Sequence, residues 1–398
     1  MKILQYIGGG NFIGTVGGAE RVFCEMASAL VVRGHETYAV CNDFRSGQPF
    51  YPLDDRVRFI NLDGSGHRKR KPLVWKISRP LRLAAKETWE RYIGNPFNVK
   101  KGEPLVKLIR EVQPDVVILY FIDDYLSMLR QPMLDVPVIL MHHSNVELFA
   151  KYVNSLERIT KINTCPHLQV LSRCFIPGIQ KIYRGSIHVI PNVVPQIAEK
   201  DMADRTTAKS QKTITMISRL IPTKQQHMLI RAFERLAKDY AEWKVEIFGP
   251  PSNQKYFRQL ENLIRSLGIA DQVKLMETTN RPLDVLRESD IFAFPSLSEG
   301  FPLALTEAMA AGLPCVGLKD TLSVNELIVD SVNGFLADNT PGDFAEKLKI
   351  LMDDQNLRAK MGTAGHEMMK QYAPEKIWNQ WEELITTVVQ QHRQRKAA

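Results

Sequence analysis

The feature that most restricts what this 398-residue chain can fold into is an alternation. Short apolar runs rich in β-branched residues, at 3–7, 37–41, 57–62, 116–120, 136–141, 168–172 and 187–190, are separated by stretches of helical apolar spacing. Short strands that are apolar on both faces belong in the middle of a layered structure, and a helix between each pair lets successive strands run parallel. The pattern predicts a doubly wound α/β sheet. Between the first two runs, residues 19–33 place Val22, Phe23, Met26 and Leu30 on one helical face and stop at Gly34, where a glycine cap is expected.

The pattern then repeats. Residues 191–212 are polar, with Lys200, Asp201, Asp204, Arg205, Lys209 and Ser210, and strand runs resume at 213–217, 245–248, 273–276, 291–294 and 315–318. The reading is two Rossmann-like domains, 1–195 and 213–373, joined by a linker at 196–212. A last helix at 374–391 carries Ile377, Trp378, Trp381, Leu384, Ile385 and Val388 on one face and is expected to pack back on the first domain. Hydrophobic residues at 44% and charged residues at 24% exclude collagen-like and disordered chains. The five cysteines show no CxxC spacing, which argues against a disulfide framework or a cysteine-zinc site and for a reducing compartment. No apolar run approaches the ~18 residues of a membrane span, so a cytoplasmic protein is expected, or one lying on the cytosolic face of a membrane.

Three segments carry chemistry. Gly8-Gly9-Gly10 to Gly14, followed by Gly17 and Gly18, lies between a strand and a helix, where bare backbone amides and a helix N-terminus can approach a ligand. As a dinucleotide fingerprint it fails, because Gly10 is followed by glycine after three residues rather than two; a loop approaching a sugar nucleotide fits better than a nicotinamide site, and a flexible turn is the bland alternative. In the second half, a strand runs into Arg219 and Lys224, five residues apart: a planar donor fork and a point charge that can clamp a diphosphate, or two solvated loop charges. The third segment runs from Phe294 to Pro314. Its strand stops at Pro295, a turn holds Glu299 and Gly300, and Pro302 suits the first position of a helix that carries Glu307. The two carboxylates can accept from sugar hydroxyls at opposite ends of a ligand lying across the helix N-terminus; otherwise they are a capping acid and a surface acid.

Together with Ile190-Pro191-Asn192, Asn325-Glu326 and Asn333-Gly334, these segments resemble the retaining glycosyltransferases of family 4, which have the GT-B fold, over nearly the whole chain. The resemblance implies two Rossmann-like domains with an interdomain cleft. It assigns Arg219 and Lys224 to the donor diphosphate, Glu307 to the ribose hydroxyls and Glu299 to the transferred sugar. Backbone amides of Gly300, Phe301, Pro302 and Leu303 would complete the sugar pocket, with Gly17 and Gly18 closing over it. A histidine at the end of a first-domain strand is also implied: His143, with His142 in reserve. The resemblance further implies a hexose or N-acetylhexosamine donor, UDP-sugar foremost, and a saccharide or lipid-linked saccharide acceptor in cell-surface polysaccharide or lipopolysaccharide synthesis. Metal independence is expected because no Asp-x-Asp pair occurs and Arg219 and Lys224 supply neutralising charge; no cofactor is expected beyond the nucleotide diphosphate sugar itself. A sugar-nucleotide epimerase or hydrolase, or a non-catalytic sugar-nucleotide-binding protein, are the competing readings. Ser218, Gln225, Pro250-Pro251 and Glu277 depart from the family pattern, where glycine is usual at or beside each.

The net charge of +8 is concentrated. Arg68, Lys69, Arg70, Lys71, Lys76, Arg79, Arg82, Lys86 and Arg91, against Glu87 and Glu90, give a local net of +7, interleaved with Trp75, Ile77, Leu81, Leu83 and Trp89. The composition is that of a basic amphipathic segment suited to an anionic membrane surface, or of a solvated loop. No nucleic-acid-binding motif accompanies it, so nucleic acid is not an expected partner.

Overall fold

A computed structural model of the chain describes residues 1–66, 96–131, 134–203 and 210–397. The basic segment 68–91 lies outside the described residues, as does 204–209. The chain divides into two compact units: one formed by Met1–Leu171, Ile176–Ile190 and Trp378–Ala398, the other by Ser172–Phe175 and Pro191–Ile377.

The first unit holds a seven-stranded parallel sheet: β1 (Lys2–Ile7), β2 (Glu36–Cys41), β3 (Arg58–Asn61), β4 (Val116–Leu119), β5 (Val138–His142), β6 (His167–Val170) and β7 (Ser186–Val189), in the order β3-β2-β1-β4-β5-β6-β7. The strand order reverses between β1 and β4, which pair directly, with Ile3 opposite Val116 and Tyr6 opposite Leu119. Every residue of β4 and β5 is buried, as expected of strands covered on both faces. The helix Gly18–Val32 ends as its sequence predicts: Gly34 adopts φ +83°, its N–H donates to the Val31 carbonyl, and the His35 N–H reaches back to Leu30. The C-terminal helix Pro374–Ala397 gives this unit its residues from Trp378 onward, with Trp381, Ile385 and Val388 buried and polar contacts from His35 to Glu382 (3.2 Å) and from Arg393 to Asp115 (2.6 Å).

The second unit repeats the plan with six parallel strands: β8 (Lys212–Ile217), β9 (Trp243–Phe248), β10 (Val273–Met276), β11 (Ile291–Phe294), β12 (Cys315–Leu318) and β13 (Gly334–Ala337), in the order β10-β9-β8-β11-β12-β13. The apolar runs of the sequence end at β12, and β13 adds a strand beyond them. Strand β13 begins at Gly334 because only glycine fits there: a Cβ would stand 2.2 Å from the carbonyl oxygen of Cys315, its partner in the ladder. The polar stretch after Ile190, expected to be a linker, is built into this unit over its described part. Val194, Ile197 and Ala203 are buried in the same apolar cluster as Leu305 and Met309, and the Val194 and Ala203 amides donate to Tyr372 and Ala311. Three well-spaced apolar residues anchor a segment whose overall polarity masks them.

Candidate active site

In open parallel sheets, ligands bind beyond the carboxyl ends of the strands where the strand order reverses, because the two loops there diverge and leave a crevice. In the second unit that point lies between β8 and β11, and the loops leaving these strands carry the residues singled out in the sequence.

The β8 loop passes through Ser218 and Arg219 into a 3-10 turn, Pro222–Lys224, then into the helix Gln226–Ala237. It is fixed from beneath: the fully buried Gln226 side chain donates to Ser218 Oγ and to the Arg219 carbonyl, both at 2.9 Å. The departures at Ser218 and Pro250 are accommodated by backbone pairing, Ser218 N–H to Phe248 and Leu220 N–H to Pro250. Gly249 between them keeps φ +145° and leaves no room for a Cβ, which would meet the Ser218 carbonyl oxygen at 1.9 Å. Arg219 is exposed, and no described residue pairs with its guanidinium.

The β11 loop, from Pro295 to Pro302, is held on both sides. Toward β8, the Leu297 N–H donates to the Thr223 carbonyl at 2.9 Å. Toward β12, Thr321 Oγ1 donates to the Ser296 carbonyl at 2.6 Å and Ser323 Oγ to the Glu299 carbonyl at 3.2 Å. The consequence is the contact that defines the site: Lys224 Nζ and Glu299 Oε1, 75 residues apart in sequence, form an ion pair whose side chains are only 15% and 10% exposed. The diphosphate candidate and the sugar candidate thus meet directly.

The helix after this loop starts at Leu303, so Pro302 is its N-cap rather than its first residue. Having no N–H, Pro302 offers an anion no backbone donor, and the amides available to an anion are those of Gly300, Phe301 and the first helical turn, Leu303 to Leu305. Glu307 lies in this helix and is buried. Phe301 packs edge-on against Tyr372, ring centroids 5.4 Å apart. His366 closes the far end, its ring nitrogen donating to the Ala310 carbonyl at 2.7 Å.

In the first unit the strand order reverses between β1 and β4, and the glycine loop leaves β1 there. Two carboxylates outside the three sequence motifs shape it. Asp124 accepts the Gly8 N–H at 3.0 Å, and a Cβ at Gly8 would collide with that carboxylate at 1.9 Å. Asp43, fully buried just past β2, accepts the Phe12 and Ile13 amides at 2.5 and 2.7 Å and pairs with Arg45. Burial pushes the Asp43 carboxyl up, but its hydrogen bonds from Arg45, Ile13 and Phe12 outweigh that and hold it at about 2. The only sequence clue to either acid was its place at the end of an apolar run. Gly17 caps the helix that begins at Gly18, in extended backbone (φ −164°).

His142 is the last residue of β5, one position before His143. Its ring N–H donates to the Asn145 carbonyl at 2.9 Å, its ring meets Phe149 edge-on, and burial pushes its pKa down to about 4. His142 therefore has a structural partner already. His143 does not: its Nε2 is buried with no hydrogen-bond partner among the described residues, and its ring stacks on Tyr120 at 4.9 Å. Burial, then the neighbouring His142, pushes His143 down to about 3, so it is a neutral imidazole at physiological pH. Tyr120 continues through Phe23 to Phe12 in successive edge-on contacts of 5.1 Å, tying the ring of His143 to the glycine loop.

Residues 16–196 match the family profile described as Glycosyltransferase Family 4, and residues 198–368 match Glycosyl transferases group 1. The chain belongs to the group 1, family 4 glycosyltransferases. Relatives of full length include an uncharacterized glycosyltransferase of Haemophilus influenzae, 25% identical over 94% of this chain and 97% of its own. Another is the GalNAc-alpha-(1->4)-GalNAc-alpha-(1->3)-diNAcBac-PP-undecaprenol alpha-1,4-N-acetyl-D-galactosaminyltransferase of Campylobacter jejuni, 23% identical over 94% and 96%. Among solved structures, a mutant of Staphylococcus aureus TarM in complex with fondaparinux, alpha-GlcNAc-glycerol and UDP superposes with a TM-score of 0.74 at 17% identity, covering 96% of this chain and 99% of that one. The two parallel-sheet units are those of the GT-B glycosyltransferase fold. Lys224 and Glu299 are the pair that meets at the β8/β11 reversal, while Glu307 lies about one turn into the helix that follows. Among the described residues, no helix is long and apolar enough to cross a membrane.

Proposed function

We propose that this glycosyltransferase transfers a hexose or N-acetylhexosamine, with retention and without a metal ion, from a UDP-sugar to a saccharide acceptor in cell-surface polysaccharide or lipopolysaccharide synthesis. The observation that carries the reading is the Lys224–Glu299 ion pair at the strand-order reversal, with Arg219 exposed on the same loop as Lys224 and free amides at the following helix start. Departure of a nucleoside diphosphate builds negative charge on the β-phosphate, and two cations with fixed amides stabilise it where it develops. Retention brings the acceptor hydroxyl in on the face the diphosphate leaves, which makes stabilisation of that leaving group the main lever on rate. Glu299 binds the transferred sugar and Glu307 the ribose. In the first unit, His143 offers an unpaired neutral ring nitrogen, suited to a sugar hydroxyl rather than to proton abstraction near pH 7. UDP in the TarM complex supports the choice of nucleotide, and the undecaprenol-linked substrate in the Campylobacter relative's name supports a lipid-borne acceptor.

The test incubates the full chain with UDP-glucose, UDP-galactose, UDP-GlcNAc or UDP-GalNAc, each with and without undecaprenyl-diphosphate-linked saccharides and in the presence of EDTA. Proton NMR of the product anomeric centre is the readout. Acceptor-dependent UDP release with an α-linked product from the α-linked donor is expected. A β-linked product, loss of activity in EDTA, or donor turnover indifferent to acceptor would each overturn the corresponding part of the reading.

A further inference from the structure

Gln225 stands directly after Lys224, at a position where family members commonly carry glycine. The structure gives the reason for glycine there: the residue adopts φ +53° and ψ +40°, the left-handed region that strains any side chain with a Cβ. Two other described non-glycine residues have positive φ, Gln113 and Ser331. Gln113 directly follows a helix and Ser331 is exposed; Gln225 is buried between loops. Its carboxamide uses both of its N–H donors, one to the Pro295 carbonyl at 3.1 Å and one to Asn339 Oδ1 at 2.9 Å. Pro295 opens the loop that carries Glu299, and Asn339 lies just past β13. One side chain therefore joins the loops leaving β8, β11 and β13, beside the Leu297–Thr223 backbone bond.

We infer that Gln225 is a positioning residue of the donor site: its carboxamide locks the Lys224 loop to the Glu299 loop and sets where the Lys224 ammonium stands. A glycine at 225 would relieve the backbone but supply no such lock, so this chain has exchanged local ease for a fixed cation. The inference rests on the reading of Lys224 as a diphosphate ligand.

The experiment measures, by calorimetry on the full chain, the affinity for whichever of UDP, GDP and ADP the unaltered protein binds most tightly. Gln225→Gly and Gln225→Met are compared, each alone and combined with Lys224→Ala, with melting temperatures recorded in parallel. Both single variants are expected to weaken nucleotide binding about tenfold, a ~1.4 kcal/mol change. Gln225→Gly should do so with little change in melting temperature, since relief of strain offsets the lost bonds, and in the Lys224→Ala background either substitution should change affinity less than twofold. Nucleotide affinity within twofold of the unaltered protein in either single variant, or a tenfold loss that persists undiminished without Lys224, would overturn the inference. If no nucleoside diphosphate binds, or Lys224→Ala binds as well as the unaltered chain, the donor-site reading itself fails, and that outcome is distinct because it does not involve position 225.

Discussion

Replacing Glu299 by glutamine separates the two roles assigned to the central pair. In the ligand-free protein Lys224 is already neutralised by Glu299, and any diphosphate must compete with that carboxylate. Two unit charges at about 4 Å interact by ~4 kcal/mol at an effective dielectric near 20, and most of this is offset by the cost of withdrawing two largely buried groups from water. A net pair strength of about 1 kcal/mol remains for the diphosphate to overcome. Glu299→Gln removes that competitor while keeping an oxygen for the ammonium to donate to. Nucleoside diphosphate affinity should therefore stay level or rise up to about fivefold, even as transfer falls steeply for want of a carboxylate on the sugar. Lys224→Met should do the reverse to affinity, losing a charge-assisted contact of about 2–3 kcal/mol, or roughly 30- to 150-fold. Glu307→Gln should also weaken nucleotide binding through the ribose. Titration calorimetry with UDP and steady-state transfer rates on the three variants decide the matter. A loss of UDP affinity in Glu299→Gln as large as that in Lys224→Met would refute the division of labour.

Three further outcomes are expected. Gly334→Ala places a Cβ 2.2 Å from the Cys315 carbonyl oxygen and should cost about 1–3 kcal/mol in chemical denaturation, whereas Gly342→Ala, whose Cβ meets nothing within 4 Å, should be neutral or mildly stabilising; equal effects would contradict the packing at β13. His142 is held neutral at about 4 in the folded chain against an ordinary value of 6.5, so below pH 6.5 the unfolded chain binds a proton the folded chain refuses. From this group stability should be full above that pH and fall by up to ~1.4 kcal/mol per pH unit between 6.5 and 4; His143 adds a loss of the same sign, so Asn in place of His142 should shrink the stability lost between pH 7 and pH 5 in urea titrations by about 2 kcal/mol without abolishing it, and an unchanged loss would remove His142 as a contributor. For the segment 68–91, cosedimentation with anionic vesicles should rise with anionic lipid and fall with salt and on neutralising Arg68, Lys69, Arg70 and Lys71, at about 1 kcal/mol per basic residue near the surface; indifference to that neutralisation would argue for a soluble acceptor.

Features that depend on neighbours in the chain are legible in residue order. Apolar runs such as 116–120 and 291–294 report strands buried on both faces, and the spacing of Val22, Phe23, Met26 and Leu30 reports a helix ending at Gly34, because burial periodicity and capping act over a few residues. The motif residues Arg219, Lys224, Glu299 and Glu307 were legible for the same reason: each lies within, or about one turn beyond, a loop whose bounding strand and helix the sequence marks. Which loops meet is set by the packing of strands far apart in the chain. Strand order brings β8 beside β11, and through that adjacency Lys224 reaches Glu299 and the Gln225 carboxamide reaches Pro295. Asp43 likewise acquires its role from the Phe12 and Ile13 amides, 30 residues away, and Val194, Ile197 and Ala203 become core only because the second unit's apolar cluster is there to receive them. Backbone spacing is a local property written in side-chain order, whereas the partner of a loop carboxylate or amide is chosen by the packing of whole strands, which no window of sequence contains.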